Sequence, residues 1–295
     1  MPSLVPLPFD LDRYVERIRA FDSARFEVAT EATVQHRHRA HPILSVRSRA
    51  AAAKTLLVLA GVHGNERAGV LAVPPILETW SSERVRLVVI TPVNPVGAAE
   101  LARCNADGHD INRDFVRFAT PEARVVRDVF DRERPDFVIS LHEGPQDGTF
   151  MFANRFVESP LAQALCDALA AGGAVLAKKD YFGLRLDPPG LSPASAATRA
   201  VWKLWAFALR RKASIAYSED RGVPEIVIES SWRTADEAAR VRPHVDLVTE
   251  WARGSESRSR AFGPRPHMFR PCSFAIARFL ASARCSAGRA PRRSL

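Results

Sequence analysis

The chain has 295 residues, 46% of them apolar and 25% charged, which is the composition of a globular protein with a sizeable core. Its net charge of +9 invites a nucleic-acid reading, but the distribution argues against a patched binding domain: from Arg253 onward there are ten arginines and one acid, Glu256, so the C-terminal stretch carries the whole excess and residues 1–252 balance. Cys104, Cys166, Cys272 and Cys285 lack C-x-x-C spacing and give neither a disulfide framework nor a thiolate zinc site; no apolar run reaches the roughly 20 residues of a membrane span, and with no signal-peptide pattern the expected location is cytoplasmic.

In chain order, "DLDRYVERIRAFDS" predicts an amphipathic helix capped by Asp10. "RFEVATEATVQ" and "HPILSVRSR" predict two strands, paired as a hairpin. "TLLVLAG" is a continuous apolar run of strand length, as for a strand buried on both faces. "ERAGVLAVPPILETW" predicts a helix broken near Pro74-Pro75. "VRLVVITPVNP" is a second buried strand, and "TPEARVVRDVFDRERP" a helix capped by Thr120 with Pro121 at its first position. "DFVISLHEG" is a third apolar strand, followed by a helix, "SPLAQALCDALAAGG". "LWAFALRRKA" predicts a core-facing helix, "PEIVIESSW" a late strand, and "TADEAARVRPHVDLVTEWAR" a final helix. Alternating strands and helices predict a doubly wound α/β sheet.

Three apolar strands end in groups that bind metal or carry protons: "LAGVHGNE", "ISLHEG" and "IVIES". In open α/β sheets, ligands bind beyond the carboxyl ends of the strands, so His63, Glu66, His142 and Glu229 are expected to converge there. Two histidines and a carboxylate suit a catalytic zinc, with the fourth position open. A further carboxylate must then move protons, and Glu229 is free for that task.

Between the ligand strands lies "NPVGAAELARCNADGHDINRDF". With it, the chain resembles the zinc carboxypeptidase family, whose pattern runs H-x-x-E, N-P-x-G, Arg, D-x-N-R-x-F, a lone His and a late Glu. Here these are His63 and Glu66, Asn94-Pro95 with Gly97, Arg103, Asp110 to Phe115, His142 and Glu229, in that order. The "HGNE" stretch is similar to the succinylglutamate desuccinylase and aspartoacylase branch. The resemblance implies a mixed sheet flanked by helices in a single domain. It implies one Zn²⁺ per chain on His63, Glu66 and His142, with Glu229 as general base. It further implies Arg103 facing the oxyanion, and Asn112 and Arg113 clamping a substrate carboxylate. Tyr217 matches the family's substrate tyrosine by position.

The chain departs from the pattern at Glu143, which follows His142 where a Ser or Thr is common and is expected either to support the site or to touch substrate. His36, His38 and His41 have no carboxylate or cysteine with them and are expected on an exposed strand or turn. The expected organisation is a helical lead-in over 1–25, a catalytic domain over 26–252, and an Arg-rich disordered or peripheral tail over 253–295. The expected function is zinc-dependent hydrolysis of an amide bond adjacent to a free carboxylate in a small peptide. The alternatives are deacylation of an N-acyl amino acid and a non-catalytic binding descendant. No nucleic-acid partner is expected.

Overall fold

The structure is a computed structural model that describes residues 9–192 and 212–261. The segment "LWAFALRRKA", Cys272, Cys285 and most of the Arg-rich stretch lie outside the described residues. By contacts the chain divides after Arg258.

In chain order the elements are α1 (Leu11–Arg19), β1 (Phe26–His36), β2 (Arg39–Ser48), β3 (Lys54–Ala60), α2 (Arg67–Leu71) and α3 (Val73–Thr79). Then come β4 (Val85–Thr91), α4 (Pro95–Glu100), α5 (Pro121–Glu133), β5 (Phe137–Gly144), β6 (Phe150–Ala153) and α6 (Ser159–Ala171). The chain continues with β7 (Leu191–Ser192), α7 (Ser214–Asp220), β8 (Glu225–Ser231) and α8 (Glu237–Ala261). The caps follow the sequence: Asp10 accepts from the Arg13 N–H at 3.0 Å, and Thr120 from the Ala123 N–H at 3.2 Å. The proline-rich helix breaks at Ala72, and Pro74 then opens α3, where a missing N–H costs nothing.

The eight strands form one mixed sheet in the order β1-β2-β4-β3-β5-β8-β6-β7. β4, β3, β5 and β8 are parallel neighbours; β1 and β2 run antiparallel to theirs, and β6 runs antiparallel to β8 and parallel to β7. The β1–β2 hairpin turns through Arg37 and His38, both at positive φ (46° and 63°), which matches the twist of the strands. His38 is therefore a turn residue, His36 pairs with Glu100, and His41 is buried.

Alternation along the strands divides the core. Leu56, Val58, Ile139, Leu141, Ile226 and Ile228 face α1, α3, α6 and α8. Leu57, Leu59 and Val138 face the other way, toward α5. On that second face, β5 and β8 carry Ser140, His142, Glu225 and Glu229, all buried. Within the apolar runs of β5 and β8, these four buried polar residues thus share one face.

Candidate metal centre and its surroundings

His63 lies three residues past the end of β3, and Glu66 stands immediately before α2, its N–H bonded to the His63 carbonyl at 3.2 Å. Both therefore hang from the carboxyl end of β3. The tight loop needs Gly64: a Cβ there would lie 1.9 Å from the Gly97 carbonyl carbon and 2.3 Å from the Ala98 nitrogen. The glycines of "HGNE" and "NPVG" meet backbone to backbone, which explains why both motifs carry one.

His142 comes from β5, the neighbour of β3. Its Nδ1 lies 2.7 Å from Glu66 Oε2, and His63 Nδ1 lies 2.6 Å from Glu66 Oε1. One carboxylate is thus shared by two imidazoles whose ring centroids are 5.1 Å apart. All three residues are buried, and their donor atoms lie within 4.8 Å of one another. Burial alone raises the Glu66 carboxyl, but the two histidines outweigh it and hold the group at about 2. Two nitrogens and an ionised carboxylate, converging away from water, are a donor set that fits a zinc ion.

Asp110, quoted in the motif but given no role from sequence, supports this set. Its Oδ1 lies 3.1 Å from His63 Nε2, and its Oδ2 accepts from Arg103 Nε and Nη2 at 3.3 and 3.1 Å. With Nδ1 turned to Glu66, the second ring nitrogen donates to a carboxylate, the usual outer support of a metal-binding histidine. Burial opposes ionisation of Asp110, yet the bond and charge of His63, with Arg103 and Arg113, pull its carboxyl well below the ordinary range.

Glu229 lies beside His142 in register across β5 and β8. Burial pushes its carboxyl up to about 8, with the charges of Glu66 and Glu143 adding to the rise, against His142 and Arg103. A divalent cation nearby acts in the opposite sense and favours the ionised form. Gly144 leaves room for it: a Cβ there would lie 3.3 Å from Glu229 Oε2 and 2.2 Å from Gln146 Oε1.

Arg103 reaches the cluster through Nη1, 3.4 Å from Glu66 Oε1. Arg113 is exposed and donates to the Asn112 carbonyl at 2.7 Å, while Asn112 Oδ1 accepts from the Ser214 N–H at 3.0 Å. Glu143 faces the protein: its Oε2 accepts from the Ala68 N–H at 2.6 Å, and its Oε1 lies 3.4 Å from Arg240 Nη1. It holds the start of α2 against β5.

Tyr217 is the exception. The structure packs it in the core with Phe115, Phe118 and Phe130, ring centroids 5.2–6.1 Å away, and its buried hydroxyl finds no partner among the described residues. Its position in sequence pointed to the site, but α7 turns it toward α5. A different tyrosine feels the site. Tyr181 meets Phe150 and Phe152 edge-on, with ring centroids 5.7 Å away, and packs tilted against Phe182 at 4.5 Å. Burial and the charge of Glu229 push its hydroxyl up, Arg113 pulls it down, and Glu66 raises it again. "KKDYFGLRL" gave no periodic signal that could have singled it out.

Residues 52–177 match the family model of the succinylglutamate desuccinylase/aspartoacylase catalytic domain. Carboxypeptidase 2 of Trichophyton tonsurans is 30% identical over 92 residues, 28% of this chain and 17% of that protein. Murein peptide amidase A of Escherichia coli (strain K12) is 36% identical over 74 residues, 25% of this chain and 31% of that protein. The matched stretches thus span less than a third of either relative. The metallo-carboxypeptidase from Pseudomonas aeruginosa in complex with (2-guanidinoethylmercapto)succinic acid superposes with a TM-score of 0.62 at 19% identity, covering 84% of this chain and 70% of that one. The metallo-carboxypeptidase from Burkholderia cenocepacia gives a TM-score of 0.59 at 16% identity, with the same coverage. These likenesses bear out the fold and the resemblance carried by the motifs.

Proposed function

We propose that this chain, which belongs with the zinc carboxypeptidases near their succinylglutamate desuccinylase/aspartoacylase branch, is a zinc-dependent hydrolase of an amide bond next to a free carboxylate. The observation that carries the reading is the shared Glu66 carboxylate, held between two imidazole Nδ1 atoms, with buried Glu229 on the adjoining strand. His63, Glu66 and His142 would hold one zinc, whose chemistry is to polarise a carbonyl and acidify water.

The chain's own groups do the rest. Glu229 takes a proton from the attacking water and returns it to the departing nitrogen. Arg103, about half-exposed beside Glu66, offers its guanidinium to the oxygen on which negative charge develops. Asn112 and Arg113 hold the substrate's free carboxylate. Metallocarboxypeptidase action on a small peptide is the leading form. The family match favours deacylation of an N-acyl amino acid as the second. A purely binding descendant would have no use for Glu229.

The test compares wild type with Glu229→Gln and His142→Ala on small peptides and N-acyl amino acids, each beside its carboxylate-amidated form. Wild type binds about one zinc and prefers the free carboxylate. Glu229→Gln keeps the metal and loses at least about a hundred-fold in kcat, the scale of a lost general base; His142→Ala loses the metal. Near-normal turnover in Glu229→Gln would remove it as the base, and a wild-type protein that takes up no zinc would remove the hydrolase reading.

A further inference from the structure

Glu225 has no part in the chemistry above, yet it is a fully buried acid. It opens β8, four residues before Glu229 and on the same face. Two serine hydroxyls donate to its Oε1: Ser140 at 2.8 Å and Ser214 at 2.9 Å. Ser140 lies on β5, two residues before His142, and Ser214 is the first residue of α7. The backbone N–H of that same Ser214 donates to Asn112 Oδ1 at 3.0 Å.

We infer that Glu225, acting through Ser214, is a positioning residue that fixes the side-chain amide of Asn112 for a substrate carboxylate. This rests on the clamp role proposed for Asn112. A carboxamide has one accepting end and one donating end, and a carboxylate accepts only. With Oδ1 committed to the Ser214 N–H, the Nδ2 end is the one left to meet an incoming carboxylate. The Ser214 N–H belongs to the first turn of a helix and has no partner within it, so Asn112 is its partner. Ser214 is in turn tied by its hydroxyl to Glu225, and Glu225 to the β5 strand that carries His142. The chain of contacts registers the carboxylate clamp against the metal ligands and the base. Removing Glu225 leaves two buried hydroxyls without their acceptor and frees Ser214; glutamine keeps an accepting Oε1 in place.

The test follows the Asn112 side-chain NH₂ signals by NMR in the zinc-loaded protein, assigned by their loss in Asn112→Ala. The probe is N-acetylglycine, with N-acetylglycinamide as the control that lacks the carboxylate. In wild type, N-acetylglycine shifts these signals and the amide does not. Ser214→Ala and Glu225→Ala should broaden them and weaken N-acetylglycine about ten-fold, the scale of one buried hydrogen bond. Glu225→Gln should restore both, and Ser214→Ala with Asn112→Ala should bind no worse than Asn112→Ala alone. Ser214→Ala is the milder change and keeps the test decisive if Glu225→Ala unfolds. If Asn112→Ala weakens the probe while Ser214→Ala leaves signals and affinity unchanged from wild type, or a folded Glu225→Ala does, this inference falls and the clamp stands. If wild type ignores the probe, or Asn112→Ala binds it normally, the clamp reading falls and this inference with it.

Discussion

Replacing Asp110 by alanine should weaken zinc binding without touching a metal ligand. The carboxylate accepts from His63 Nε2 at 3.1 Å and from Arg103 Nη2 at 3.1 Å, so its loss leaves two donors without their acceptor. Losing such an outer carboxylate costs about 10- to 100-fold in metal affinity. At 1.36 kcal/mol per ten-fold that is about 1.4–2.7 kcal/mol. A charge-assisted hydrogen bond contributes about 1.5–3 kcal/mol, so the two routes agree. Arg103 adds to the effect, because without Asp110 its nearest acid is Glu66, a proposed ligand, 3.4 Å away. Asp110→Asn should fall between, since one amide oxygen cannot serve two donors and its NH₂ end meets the other. The assay is competition for zinc against a chromogenic chelator at neutral pH, with circular dichroism to check the fold. An unchanged zinc Kd in folded Asp110→Ala would refute the coupling from Asp110 through His63 to the metal.

Three further outcomes are expected. Tyr217→Phe should leave KM unchanged and thermal stability equal or higher, because the hydroxyl removed is buried and has no partner among the described residues; a raised KM in steady-state kinetics would return Tyr217 to the site. Gly64→Ala should lose metal and stability together, as its Cβ would lie 1.9 Å from the Gly97 carbonyl carbon; a normal melting temperature and zinc content would contradict the close approach. Glu133 sits between Arg47 and Arg86, at 2.8 and 2.6 Å, and its folded pKa lies below 4.5 because these bonds and charges, with Arg132, outweigh burial. Its contribution is therefore fully present above pH 4.5 and is lost as pH falls through the lower folded value. Glu133→Gln should lower the melting temperature at neutral pH and flatten its fall in acid, and a pH–Tm profile parallel to wild type would show that the ion pairs add nothing.

The parallel centre of the sheet was legible because β3, β4, β5 and β8 are buried on both faces and read as predominantly apolar runs, with the polar residues of β5 and β8 gathered on one face or at the strand ends. The convergence of His63, Glu66 and His142 was legible for the same reason, since strand ends in a parallel sheet share one edge. What was hidden is direction. β6 is only four residues long, and α4 is masked by the proline and glycine of its own motif. Tyr217 lies close to Glu229 in sequence, but a helix turns each residue 100° from the last and it faces the core. Asp110 and Glu225 look like ordinary solvated acids in a sequence. Their roles come from contacts 47 and 85 residues away, to His63 and Ser140, that local pattern cannot express.

The strand order also sets a timetable for synthesis. β8 enters between β5 and β6, so it completes the sheet from the middle rather than at an edge. A growing chain that has just finished β5 already holds His63, Glu66 and His142 on two adjacent strands, while the free side of β5 has nothing to pair with. About eighty residues must still be made before β8 arrives, roughly 4–16 seconds at ordinary elongation rates. On the proposed reading, a metal ion bound during that interval would have no base to work with, because Glu229 has not been made. An ion captured then would brace the half-built sheet while its open edge is most exposed to pairing with another chain.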